Sequence, residues 1–179
     1  MRQVWITKVG APEVLLVREA PDPQPGPGQV RIRVEASGIN FADISARLGF
    51  YPDAPRIPCV VGYEVAGRID AVGSGIDPGR VGEDVLALTR FGGYSDVVVV
   101  PEKQATRRPP GLDAQNAAAI PVTYLTAYQM LIEMGRVRPG DRVLIHQAAG
   151  GVGLAAIDVC ALTGGVEIYN LPLGFLAGL

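Results

Sequence analysis

His146-Gln-Ala-Ala-Gly150-Gly151-Val152-Gly153 is the stretch on which the fold turns. Arg142 to His146, just before it, is expected to form a short buried strand, and Val152 to Leu162, just after, a helix. Val166 to Tyr169 then supplies a second strand. Strand, glycine loop, helix and strand make a β-loop-α-β unit, the opening of a doubly wound parallel sheet. A glycine loop in that context suits a dinucleotide. Gly150 lets the backbone approach a pyrophosphate, and Gly153 permits tight packing of helix on strand. The helix N-terminus offers free N–H groups and partial positive charge to phosphates. Ala149, Gly151 and Val152 complete the candidate loop. Ala148 stands where the usual pattern has its first glycine, so a plain strand-to-helix turn is the alternative reading.

Working upstream, Pro139-Gly140-Asp141 reads as a turn and Gly135 as a helix stop. Pro121 suits the first turn of a helix running to about Met134, and Asp113 the N-cap of an alanine-rich helix ending near Ile120. Residues 1 to 108 follow a different pattern: short Val- and Ile-rich segments punctuated by glycine and proline, as in all-β structure. In Gln29 to Ser37, Val30, Ile32, Val34 and Ala36 alternate with Arg31, Arg33 and Glu35, giving one apolar and one charged face. Further strands are expected at Val4–Thr7, Leu15–Glu19, Val60–Val72 with a bend at Gly67, Asp84–Leu88 and Tyr94–Val100. A short helix is expected from Asn40 to Leu48. The organisation expected is a mainly β domain over residues 1–120, followed by a linking helix and partial α/β unit over 121–179.

Composition narrows the function classes. The chain has 179 residues with 48% hydrophobic content, enough for a real core. Sixteen basic and eighteen acidic residues leave a net charge of −2 with no like-charge cluster, which argues against nucleic acid or an anionic membrane as partner. Two cysteines, Cys59 and Cys160, and a single histidine, His146, leave few metal ligands, so no metal site is expected. The N-terminus lacks the apolar stretch of a signal peptide, and the longest uncharged run, Ala114 to Ile132, is interrupted by polar residues and Pro121. A cytoplasmic location is expected.

Five motifs occur in order: Asn40-Phe-Ala-Asp43, Pro58-Cys-Val-Val-Gly-Tyr-Glu64-Val-Ala-Gly67, Gly92-Gly-Tyr-Ser95, Pro121-Val-Thr-Tyr-Leu-Thr126-Ala-Tyr128 and the glycine loop. Together they resemble the medium-chain dehydrogenase/reductase superfamily, in its zinc-free quinone oxidoreductase branch of the zeta-crystallin type, over roughly residues 1 to 163. The resemblance implies a chaperonin-10-like (GroES-like) β-barrel domain carrying the substrate cleft and a Rossmann domain carrying NADPH. Zinc alcohol dehydrogenases of the same superfamily place a cysteine ligand where Asn40 stands and a histidine ligand where Tyr63 stands. Their four-cysteine structural lobe is also missing after Leu88. Without a Lewis acid, alcohol oxidation is disfavoured. Reduction of a quinone or an α,β-unsaturated carbonyl needs only a positioned hydride donor and hydrogen-bond donors near the developing oxyanion.

By match to the family, Asn40, Asp43 and Tyr51 resemble the polar residues of the nicotinamide and substrate cleft. Thr126, with Tyr128 beside it, resembles the contact to the nicotinamide end. Ser45 replaces a tyrosine common among close relatives. Each position also has a plainer role: Asn40 and Asp43 as helix caps, Tyr51 packed under its proline loop, Thr126 solvated on a helix face. Glu64 reads as structural, buried only with a partner. His146, Cys59 and Cys160 read as core or supporting residues.

The cofactor half is short. Only 38 residues run from Arg142 to the end, whereas a six-stranded Rossmann domain needs well over a hundred. The position expected to select the ribose falls near Asn170, neither acidic nor basic. A fragment or frame-altered chain is one expectation and an internal deletion is the other. Three functions remain open at this level: an NADPH-dependent quinone or enone reductase, or its catalytic portion; a cofactor-free isomerase, cyclase or dehydratase using Asp43 and Tyr51 as acid–base groups; and a non-catalytic binding module. The tail Ile168 to Leu179 carries no charge, and homo-oligomerisation is expected through residues 166–179.

Overall fold

The computed structural model describes residues 1–164 and 167–171. The chain divides into two compact units, Met1–Pro121 and Val122–Leu179.

The first unit is built on a curled five-stranded antiparallel sheet. Its strands are β3 (Gln29–Ser37), β4 (Glu64–Val72), β5 (Asp84–Leu88), β6 (Val97–Pro101) and β7 (Ala105–Arg107), in the order β6-β3-β4-β5-β7. Val30 and Ile32 of β3 face inward with Val65, Ile69, Val85, Val98 and Val100. Burying each such side chain contributes about 1.5–3 kcal/mol relative to leaving it in water. The alternate residues Arg31 and Arg33 point outward and share Asp70 at 2.7 and 3.0 Å. A separate hairpin, β1 (Arg2–Ile6) with β2 (Leu15–Glu19), is tied to the unit by bridges from Gln3 to Ser95 and from Ile6 to Cys59.

Gly67 marks the bend the sequence suggests, and its neighbours show why glycine is needed. A Cβ there would lie 2.0 Å from the Arg33 carbonyl oxygen. The β3–β4 register slips beside it, between Val34 and Ala36. The extended run expected from Val60 begins as a strand only at Glu64. Gly62 turns the chain at a φ of 100°, and the backbone groups of Val60, Val61 and Gly62 bond the Gly92–Tyr94 loop instead. The strand expected from Tyr94 likewise starts at Val97, and β7 is a pairing the sequence did not signal.

Helix α1 (Phe41–Arg47) follows β3, and α2 (Ala114–Ala118) lies over the sheet with Ala117 and Ala118 packed on Ala66. Asp113 caps α2, accepting the Asn116 N–H at 2.8 Å. Small side chains allow this close approach of helix to sheet.

Helix α3 (Pro121–Tyr128) leads into the second unit and continues as a π-helical stretch, Gln129–Met134, ending at Gly135. Strand β8 (Arg142–His146) pairs in parallel with β9 (Glu167–Leu171), and α4 (Gly151–Thr163) crosses between them. Ala127, Ile145, Ala148, Ala155, Ala156, Val159 and Cys160 form this unit's core. Parallel sheets are ordinarily covered on both faces. Here only Ile145 of β8 is buried, and Leu144 is 50% exposed. His146, expected in the core or supporting it, is exposed for the same reason: strand alternation puts it on Leu144's face. Both cysteines are buried free thiols. The tail expected to drive self-association lies, apart from residues 167–171, outside the described residues.

Candidate active site

In the first unit the site grows from the N-terminus of α1. Asn40 is its N-cap, and the Asp43 carboxylate reaches back to accept the Asn40 N–H at 2.9 Å. Asp43 is only 4% exposed, so every lone pair it keeps needs a partner. Its other oxygen accepts the Gly62 N–H at 2.9 Å, and the Tyr94 hydroxyl donates to the carboxylate at 2.9 Å. Burial pushes this carboxyl's pKa up, while the three hydrogen bonds pull against that shift. Burial and the nearby Asp43 charge push Tyr94 ionisation far up, so its phenol stays a donor.

Asn40 also donates its side-chain N–H to Glu64 Oε1 at 2.8 Å. Glu64 is 1% exposed, buried with a partner as the sequence required. Gly38 makes the space: a Cβ there would stand 2.3 Å from Glu64 Oε1.

Tyr51 is half-buried and packs on the core that contains Ile6, Cys59 and Val61. Its ring meets Tyr63 edge-on, with centroids 6.1 Å apart at 80°, and Tyr63 meets Phe91 at 5.2 Å. The structure thus joins Asn40 to Asp43 directly and brings Tyr51 near them through Tyr63, the residue preceding Glu64. Ser45 is half-buried on α1. Sequence reasoning missed Tyr94, Gly62 and Gly38 as parts of this network. Gly62 and Tyr94 lay inside quoted motifs, but Gly38 carried no local signal.

Beside this network, Val4, Ile6, Leu15, Val17, Ile39 and Ile44 line an apolar groove of about 600 Å³ bordered by Asp43. Among the described residues no group of three or more His, Cys, Asp or Glu comes together around a metal position, and no described helix is long and apolar enough to cross a membrane.

In the second unit the glycine loop leaves β8 through Gln147, which adopts a φ of 53°. That is the left-handed region, which a non-glycine residue occupies at some cost. Ala148 is buried in the core. Gly153 is needed for packing, since a Cβ there would lie 2.5 Å from the Gln147 carbonyl oxygen. Gly150 differs: it caps α4 at φ −79° and ψ 164°, ordinary for any residue, and a Cβ would meet only that same oxygen at 3.4 Å. Ala149, Gly150 and Gly151 are exposed, and Val152 is half-buried. On α3, Thr126 is half-buried and Tyr128 is 47% exposed, either side of the buried Ala127.

Comparison with known proteins places this arrangement. Residues 26–110 match the alcohol dehydrogenase GroES-like domain. The chain is 41% identical over 161 residues to the synaptic vesicle membrane protein VAT-1 homolog of Danio rerio, covering 90% of this chain and 33% of that protein. The quinone oxidoreductase from Thermus thermophilus, solved alone and with NADPH, superposes with a TM-score of 0.82 at 34% identity, covering 96% of this chain and 53% of that one. The chain belongs to the medium-chain dehydrogenase/reductase superfamily, in its quinone oxidoreductase-like branch. The CurK enoyl reductase is similar too, with a TM-score of 0.89 at 30% identity, covering 99% of this chain and 57% of that one. The chain therefore spans about a third of the VAT-1 homolog's length and just over half of either solved chain. Its fold is the GroES-like β domain followed by the first part of a Rossmann βαβ unit.

Proposed function

We propose that this chain is the substrate domain and opening cofactor segment of a metal-independent, NADPH-using reductase of quinones or α,β-unsaturated carbonyls. The observation that carries this is Gly150. Its backbone conformation is open to any residue and the space beside it is nearly empty, so packing does not call for glycine there. Glycine at that point leaves the N-terminus of the thirteen-residue α4 bare, which suits a pyrophosphate. The loop Ala149–Gly153 is the part that would hold the phosphates, and Thr126 and Tyr128 are the residues proposed for the nicotinamide end. When bound, NADPH supplies a hydride to an electron-poor acceptor. The first unit's contribution is polar and aromatic: the Asn40 amide, held by Glu64, and the Tyr51–Tyr63–Phe91 rings. In this reading Asp43 is the brace that sets Asn40 and Tyr94. A small-molecule substrate and no zinc are part of the same proposal, as is assembly into a homo-oligomer.

Titration of the chain with NADPH, followed by nicotinamide fluorescence, tests it. Saturable binding is expected, and none at millimolar cofactor would eliminate the reading. A second reading, a non-catalytic binding module, has the apolar groove in its favour and takes over in that event.

A further inference from the structure

Among the described residues, the Tyr63 hydroxyl is the one buried side-chain polar atom with no hydrogen-bond partner. A buried hydroxyl left unsatisfied costs about 1–3 kcal/mol, so a fold that keeps one invites a functional explanation. Packing does not supply it, because phenylalanine would keep the ring contacts with Tyr51 and Phe91 and lose only the unsatisfied atom. Around it Tyr51 lies edge-on and Phe91 tilted, and Asn40 is one hydrogen bond away from the adjacent Glu64.

We infer that the Tyr63 hydroxyl is the hydrogen-bond donor for the acceptor oxygen of a quinone or enone substrate, with the Tyr51 and Phe91 rings flanking the substrate's planar face. This deepens the proposed function and rests on it. Negative charge gathers on that oxygen as the acceptor is reduced, and a neutral donor fixed beforehand stabilises it without reorganisation. Burial, then the Tyr51 phenol, which lies near but outside hydrogen-bond geometry, and the Asp43 and Asp53 carboxylates push Tyr63 ionisation far up, so the phenol stays protonated throughout the physiological range. A donor with no protein partner loses nothing when the substrate oxygen arrives, which is why an orphan hydroxyl serves better here than one already engaged.

Duroquinone is the probe, since its fully substituted ring cannot alkylate the two thiols. Its binding to the full chain is measured by equilibrium dialysis, and its carbonyl stretch by difference infrared spectroscopy, for wild type, Tyr63→Phe and Tyr51→Phe. Wild type is expected to bind it with the stretch moved to lower frequency. Tyr63→Phe should weaken binding about 3- to 10-fold, the worth of one hydrogen bond, and abolish the shift while melting at the wild-type temperature or above. Tyr51→Phe should keep the shift. An unchanged affinity and stretch in Tyr63→Phe overturns the inference and leaves the reductase reading standing, as does duroquinone failing to bind a chain that binds NADPH. A Tyr63→Phe chain that melts well below wild type also overturns it, by showing a structural role. Binding of neither duroquinone nor NADPH removes the reductase reading and this inference together.

Discussion

The Tyr94 hydroxyl donates to Asp43 Oδ2 at 2.9 Å across fifty-one residues of sequence, pinning the loop before β6 to the start of α1. The same carboxylate holds the Asn40 and Gly62 N–H groups. Asp43→Ala would strand one buried and one part-buried backbone donor and the phenol. It is expected to cost about 3 kcal/mol or more, and Tyr94→Phe about 1.5 kcal/mol. Urea unfolding of the three chains checks the order; an Asp43→Ala chain as stable as wild type would contradict the bracing role.

Gly67→Ala places a methyl 2.0 Å from the Arg33 carbonyl, a backbone atom that cannot swing away. Overpacking of a central strand should cost about 3 kcal/mol. The first unit's melting temperature, read by far-ultraviolet circular dichroism, is expected to fall by many degrees, whereas Gly75→Ala, in open space at a strained φ, should cost less.

Substitutions at Gly150 and Gly153 test the proposed ligand binding apart from folding. Gly150→Ala should cost only about 1 kcal/mol of stability, the loss of a helix cap, yet weaken NADPH about tenfold, because its methyl stands at the bare end of α4. Gly153→Ala drives a methyl to 2.5 Å from the Gln147 oxygen and should disrupt the second unit outright. Parallel melting curves and nicotinamide fluorescence tell the two apart; equal NADPH affinity in Gly150→Ala would count against the loop as a phosphate site.

Acid should destabilise the chain. Asp22, Glu83, Asp84, Asp96 and Asp113 are held below their ordinary pKa, chiefly by hydrogen bonds: to the N-terminal ammonium for Asp22, to arginines for Glu83, Asp84 and Asp96, and to the Asn116 N–H for Asp113. Their stabilisation is present above the ordinary values of 3.8 and 4.5 and is lost as pH falls through the lowered ones. Asp43, raised by burial, works the other way, its contribution fading as pH rises through its raised value. The urea midpoint is expected to drop from pH 5 toward pH 3, and to drop less at about 1 M salt, where exposed pairs are screened.

The residues themselves announce much of this protein. Alternation in Gln29–Ser37 and the glycine punctuation around Arg142–Gly164 state local preferences, two-residue and 3.6-residue periods, that hold wherever the segment ends up. Five short motifs in order are likewise a one-dimensional signal, and they carry the family. Which partners those segments find is another matter. That Val60–Gly62 bonds the Gly92–Tyr94 loop rather than a strand, that Gly38 clears room for Glu64, and that Asp43 ends among three donors all depend on residues as many as 51 positions apart meeting in space. Burial, which leaves the Tyr63 hydroxyl without a partner and sets His146 in solvent, is a property of the packed layers and is written in no single stretch of sequence.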